Sequence, residues 1–209
     1  LCEGAAAVLH IAGVVNAADE AGFFAGNVAG TANVLAAAAG VPRFVHVSSL
    51  AAREPRLSLY GASKAQGDAL VMASTLDWVI VRPPGVYGPG DAEMRDLFSL
   101  ARFGLGLAPG RPGARISLIH VDDLARALLA LANAGPSREI LEIDDGSGGY
   151  THRQHASAMA RAMGRSRARM IPISNRLLGL AASVATLVAG WKGELPKLSR
   201  DRAFYLAHP

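Results

Sequence analysis

The sequence predicts an α/β fold: the later half of a doubly wound parallel sheet, followed by a small, mostly helical region. Three observations predict it. Short apolar runs stop at Gly, Ser or Pro, stretches of helical composition separate them, and the spacing leaves room for a crossover helix between strands. Parallel pairing needs such crossovers.

The elements follow in order. Residues 5–11 (AAAVLHI) read as a buried strand ending at Ala12-Gly13, apolar throughout as a strand covered on both faces is. Residues 27–39 (NVAGTANVLAAAA) are helical in composition and stop at Gly40, with Pro42 just beyond, a common C-terminal signal. Asn27 would cap that helix. Residues 43–47 (RFVHV) form a second strand running into Ser48-Ser49, residues 60–74 a second helix, and residues 77–81 (DWVIV) a third strand halted by Pro83-Pro84. After Asp91 the pattern loosens. A helix is expected over 93–103, a turn-rich loop over 109–113, a strand over 116–120 and a helix over 124–132, capped by Asp122-Asp123. A strand over 139–143, a helix over 151–163, an apolar helix over 177–191 and a short segment near 200–206 complete the chain.

Composition narrows the function. With 51% hydrophobic and 18% charged residues, the 209-residue chain has a globular balance suited to one domain or one domain with an annex. Its net charge of +4 comes from eighteen Arg against three Lys (Lys64, Lys192 and Lys197). The densest basic cluster, Arg161, Arg165, Arg167 and Arg169, has no interleaved aromatic residue to stack a base. It reads as a solvated face, with no nucleic-acid partner. The single Cys2 gives no intrachain disulfide, and no signal-peptide pattern opens the sequence, so a cytoplasmic location is expected. The apolar stretch 177–191, between Arg176 and Lys192, is shorter than the roughly 20 residues that span a bilayer, and reads as a buried helix, with a membrane-associated helix the alternative. His152 and His155 lack an acidic partner at ligand spacing, so no metal site is expected. Residues 104–110 (GLGLAPG) mimic a dinucleotide-binding loop but follow a helical stretch, with Pro109 badly placed for a helix start.

The chemistry gathers at Tyr60-Gly-Ala-Ser-Lys64, eleven residues after Ser49. Positions i and i+4 share a helix face, so phenol and ammonium sit side by side. A free tyrosine titrates near pH ~10, and an adjacent cation lowers that value toward a usable general acid/base. Ser49, at the carboxyl end of a strand, is placed to orient a substrate hydroxyl or carbonyl.

These residues resemble a known family. YGASK is similar to the Tyr-x-x-x-Lys signature of short-chain dehydrogenases/reductases, and VHVSSLAA resembles the strand that delivers their catalytic Ser or Thr. VLHIAG, NVAGTANVLAAA, VRPPGVYGPGD and SLIHVDDLARA resemble blocks of the extended branch, which includes epimerases, dehydratases and 3β-hydroxysteroid dehydrogenases. Together they cover most of residues 5–132 in the family's order.

The resemblance implies a Rossmann-type sheet and an NAD- or NADP-dependent oxidoreductase or epimerase acting on a secondary alcohol or ketone. Ser49, Tyr60 and Lys64 would be catalytic, with Ser48 the alternative to Ser49. His10, Ala12, Gly13, Tyr60, Lys64, Pro83, Pro84 and Gly85 would line the cofactor. Residues 1–91 would hold the later part of the cofactor domain, and 92–209 a mixed substrate-binding and lid region with returning sheet elements. Two departures point away from a nucleotide sugar and toward a steroid-like or other ketone. Gly85 stands where sugar-nucleotide enzymes usually carry Asn, and Arg115 lies one place early, on the other face of its strand. A homodimer is common in the family. A non-catalytic nucleotide-binding or assembly protein on the same fold is the alternative reading.

The glycine-rich pyrophosphate loop of such folds is not in the sequence. Residue 5 already resembles the fourth strand, so an upstream segment is expected to be missing, leaving an exposed sheet edge and poor solubility.

Overall fold

A computed structural model describes residues 2–109 and 113–192. The expected segment near 200–206 and the middle of the 109–113 loop lie outside these residues. The first elements are β1 (Val8–His10), α1 (Glu20–Phe23), a π-helical segment (Phe24–Ala29), α2 (Gly30–Ala37) and β2 (Phe44–Val47). Two 3-10 turns (Leu50–Arg53 and Pro55–Leu57), α3 (Leu59–Ala73), β3 (Trp78–Arg82), β4 (Gly85–Tyr87) and α4 (Ala92–Arg102) come next. They are followed by β5 (Leu105–Pro109), β6 (Arg115–Ile116), β7 (Leu118–His120), α5 (Val121–Asn133) and β8 (Glu139–Glu142). The last are β9 (Tyr150–Thr151), α6 (His152–Ala162), β10 (Arg169–Ile173) and α7 (Asn175–Lys192). These form two compact units, one of residues 1–84 and 121–144, the other of residues 85–120 and 145–209.

The first unit holds a parallel sheet in the order β1-β2-β3-β8. Its two inner strands, β2 and β3, are buried along nearly their whole length, which is why their sequences are apolar on both faces. Phe44 and Ile80 pack with Ala38, Val41, Val71 and Trp78 into the main core. β1 lies at one end of the sheet. Arg43 clasps the unit together. Its guanidinium donates to the carbonyls of Leu131 (2.9 Å) and Pro136 (2.8 Å) and pairs with Asp77 (3.1 Å).

Two capping expectations are corrected. The helix thought to begin at Asn27 begins at Glu20, where Asp19 caps it by accepting from the Gly22 amide at 2.9 Å. Two Gly and two Phe in its first turns hid that start. Asn27 lies inside the π segment, with its side chain committed to other partners. Helix α5 begins at Val121, so Asp122 and Asp123 sit within its first turn rather than ahead of it. There they still face the positive end of the helix dipole.

The second unit is built from small pairings. β10 runs parallel to β5, β4 parallel to β7, and β6 antiparallel to β9. Ala101, Ala156, Met159, Ala160 and Ala168 form its core. Residues 105–109 of the GLGLAPG stretch are thus a strand. Thr151 and Gln154 cap α6 reciprocally, each side chain accepting from the other's backbone amide.

Helix α7 departs from expectation. Leu178, Ala182 and Ala189 are buried, the first two against Ile173. Leu177, Leu180, Val184, Leu187, Val188 and Trp191 are exposed. The helix is apolar all round, and among the described residues one side of it is buried. Among the described residues no helix is long and apolar enough to cross a membrane.

Candidate active site

The carboxyl ends of β2 and β3 set the site. The Ser48 amide donates to the Val81 carbonyl at 2.7 Å and the Leu50 amide to the Pro83 carbonyl at 2.9 Å. Ser49 is thereby fixed beside Pro83. The two serines face differently. Ser48 is buried, whereas Ser49 is half-buried and caps the following 3-10 turn, its Oγ accepting from the Ala51 amide at 3.2 Å. A hydroxyl used in this way keeps its own O–H to donate.

Helix α3 supplies the next two groups. Ser58 caps it, its Oγ accepting from the Gly61 amide at 2.9 Å. Tyr60 lies half-buried in the first turn, its ring tilted 54° to Phe23 with centroids 6.2 Å apart. One turn on, Lys64 is only 5% exposed and donates from Nζ to the Val47 carbonyl at 2.8 Å. An ammonium carries three hydrogens, so this bond uses one of them. Gly61 lets the turn and the helix meet. A Cβ there would lie 2.7 Å from the Ala51 carbonyl oxygen, closer than any side chain tolerates.

The loop after β1 approaches the same point. Ala12 and Gly13 are exposed, and a Cβ on Gly13 would stand 3.6 Å from the Lys64 ammonium and 3.1 Å from Asn27 Oδ1. Asn27 ties this loop to α3. Its Oδ1 accepts from the Val14 amide (2.7 Å), while Nδ2 donates to the Val14 carbonyl (2.8 Å) and to Ser63 Oγ (2.9 Å). His10 is buried behind the loop, with Nε2 3.1 Å from Thr31 Oγ1. Since that hydroxyl donates to the Asn27 carbonyl, the histidine is its donor and carries its proton on Nε2. Burial, then His46 and Lys64, push the His10 pKa down to about 4.

A charged layer lies beneath, unseen in the sequence. Asp68, one turn beyond Lys64, is fully buried and bound by Arg82 through Nε (3.0 Å) and Nη2 (2.8 Å). Its other oxygen faces His46 Nε2 at 3.5 Å. Burial pulls the Lys64 pKa down, and Asp68 opposes it. Burial would raise the Asp68 pKa, but His46, Ser48 and Arg82 overcome it and hold the carboxyl below its ordinary range. The i+4 spacing from Lys64 to Asp68 was the one available signal, since His46 and Arg82 come from separate strands.

Of the expected site residues, the structure gathers Ser49, Tyr60, Lys64, His10, Ala12, Gly13 and Pro83 around the ends of β1, β2 and β3. Pro84 is half-buried at the end of this unit's first segment. Gly85 belongs to the other unit, where it opens β4 opposite Leu118, and a Cβ would meet Leu118 Cδ2 at 3.0 Å.

The sequence profile of the NAD dependent epimerase/dehydratase family matches residues 2–144, and the chain belongs to that family. It is 41% identical over 166 residues to the ceramide reductase of Caulobacter vibrioides (strain NA1000 / CB15N), covering 78% of this chain and 52% of that protein. The 4-hydroxy-2-methyl-3-oxo-4-farnesyl-3,4-dihydroquinoline-1-oxide ketoreductase of Stigmatella aurantiaca is 32% identical over 170 residues, covering 69% of this chain and 50% of that protein. The chain thus spans about half the length of these curated relatives. In fold it is similar to the crystal structure of gox2253, with a TM-score of 0.71 at 19% identity over 98% of this chain and 68% of that one.

Proposed function

We propose that this chain carries the reaction centre of an NAD(P)-dependent reductase that acts on a ketone or secondary alcohol in a lipophilic molecule. Lys64 is the observation that carries the reading. A buried ammonium is held by the Val47 carbonyl, beside an exposed glycine loop and one helical turn from a half-buried tyrosine. Such a group suits the hydroxyls of a nicotinamide ribose, and Gly13 leaves room for one. The family to which the chain belongs is NAD dependent.

The nicotinamide, when bound, supplies or accepts the hydride. The protein's own groups handle the oxygen. Ser49 donates its hydroxyl hydrogen to the substrate oxygen and fixes its direction. Tyr60 gives its phenolic proton to that oxygen in reduction and takes it back in oxidation. The Lys64 cation favours the phenolate left behind. Pro83 and Pro84 wall the site beside Ser49, and His10, Ala12 and Gly13 form the cofactor's edge. In this assignment residues 1–91 bear the cofactor and the chemistry, and 92–209 are a mixed substrate-binding and lid region that includes the returning elements α5 and β8.

The lipophilic substrate is supported by the relatives' names, a ceramide reductase and a ketoreductase of a farnesyl-bearing compound. Replacing Tyr60 with Phe in the full-length protein should lower turnover of a long-chain ketone by roughly 10²- to 10⁴-fold, with NADH binding by fluorescence titration retained. Undiminished turnover would refute the assignment.

A further inference from the structure

Helix α7 has two apolar faces and one surface to bury. Its exposed residues Leu177, Leu180, Val184, Leu187 and Trp191 recur at alternating spacings of three and four, so they form one stripe along the helix. Trp191 at 87% exposure is the extreme. The rest of the helix, NRLLGLAASVATLVAGWK, carries charge only at Arg176 and Lys192, one near each end and both positive.

We propose that this stripe is a docking surface for an anionic lipid bilayer, on which α7 lies parallel to the membrane plane. A second copy of the chain fits the charge pattern less well. Helices that pair along such a stripe carry charges of both signs on the flanking positions, which set register and partner, and α7 has none. A helix seated in a lipid interface buries an apolar face, anchors through an aromatic residue at headgroup depth and meets anionic headgroups with cations. Trp191 and Arg176 supply those features, and the chain's net charge of +4 favours the same surface. With Leu178, Ala182 and Ala189 buried on the other side of the helix, α7 would lie on the membrane with only its exposed stripe in contact. The proposal stands on α7 alone and is independent of the catalytic assignment.

The test is flotation of the full-length protein with vesicles of phosphatidylcholine, alone and mixed with phosphatidylglycerol. The protein should float with the mixed vesicles, less so as salt is raised. Tryptophan emission should shift to the blue on binding. Trp78 is buried at 6% exposure, and loss of the shift in a Trp191→Phe variant would assign it to Trp191. The double variant Leu180→Glu, Leu187→Glu should reduce the bound fraction about ten-fold or more. Both positions are exposed, and an unchanged circular dichroism melt would show that the fold is intact. Two results would overturn the proposal: no flotation with either vesicle, or a lipid-free dimer that the double variant converts to monomer. Neither bears on Tyr60, whose substitution is read in turnover of a detergent-solubilised substrate.

Discussion

One amide at Asn27 satisfies both backbone groups of Val14 and the hydroxyl of Ser63. Asn27→Ala would strand three polar groups in a nearly closed space, Asn27 being 2% exposed. A stability loss of about 2–3 kcal/mol is expected from urea unfolding, since each unsatisfied buried group costs roughly 1–3 kcal/mol and some would find water. His10 makes stability depend on pH. Its pKa in the fold, about 4, is below its ordinary 6.5, so the unfolded chain takes up a proton that the folded chain refuses. That contribution is complete above 6.5 and is lost as pH falls from 6.5 toward 4. Burial pushes His46 the same way. Urea midpoints should therefore fall across this window, and His10→Gln should flatten the slope. The placement of Ser49 at a strand end and of Tyr60 and Lys64 one helical turn apart was legible in the sequence because these relations are local. The layer of His46, Asp68 and Arg82 could not, because three elements contribute one residue each.

At the scale of elements, the contact between α3 and the 50–53 turn is tight. Gly61→Ala would drive a Cβ into the Ala51 carbonyl. The helix must then move back, taking Tyr60 with it. A loss of roughly 1–3 kcal/mol in stability is expected, and kcat should fall even at temperatures where the variant remains folded. The π segment is the second device. It sits between α1 and α2 in one continuous helical run, and an extra residue in a turn rotates α2 about the helix axis relative to α1. Elements buried on both faces were legible because their sequences are uniformly apolar. β5 and β10 were not. The first contains Gly106 and Pro109, the second Pro172, and each pairs only with the other. The start of α1 was hidden by glycines, and the outward face of α7 by the uniform apolarity of the helix. An apolar face says that burial is favourable, not that a partner is at hand.

At the scale of the molecule, the Arg43 clasp joins the first strands to the returning segment. Replacing Arg43 with Met would take its guanidinium from the Leu131 and Pro136 carbonyls and leave Asp77 to its Ser137 hydrogen bond. Charged hydrogen bonds are worth roughly 1.5–3 kcal/mol each where buried, so a lower melting temperature is expected, with β8 exchanging its amide hydrogens earliest among the four strands of the sheet. The doubly wound pattern was legible at this scale. The division into two units was not, since the first unit is discontinuous and resumes at Val121. That discontinuity has a consequence during synthesis. The ribosome delivers β1, β2 and β3 in succession, then the whole of residues 85–120, and only afterwards α5 and β8. Until then the outer edge of β3, with Val79, Ile80 and Val81 already apolar and destined for full burial, waits without its neighbour. The nascent chain is thus most exposed to mispairing while the second unit's first half is emerging, a window that a holdase chaperone would cover.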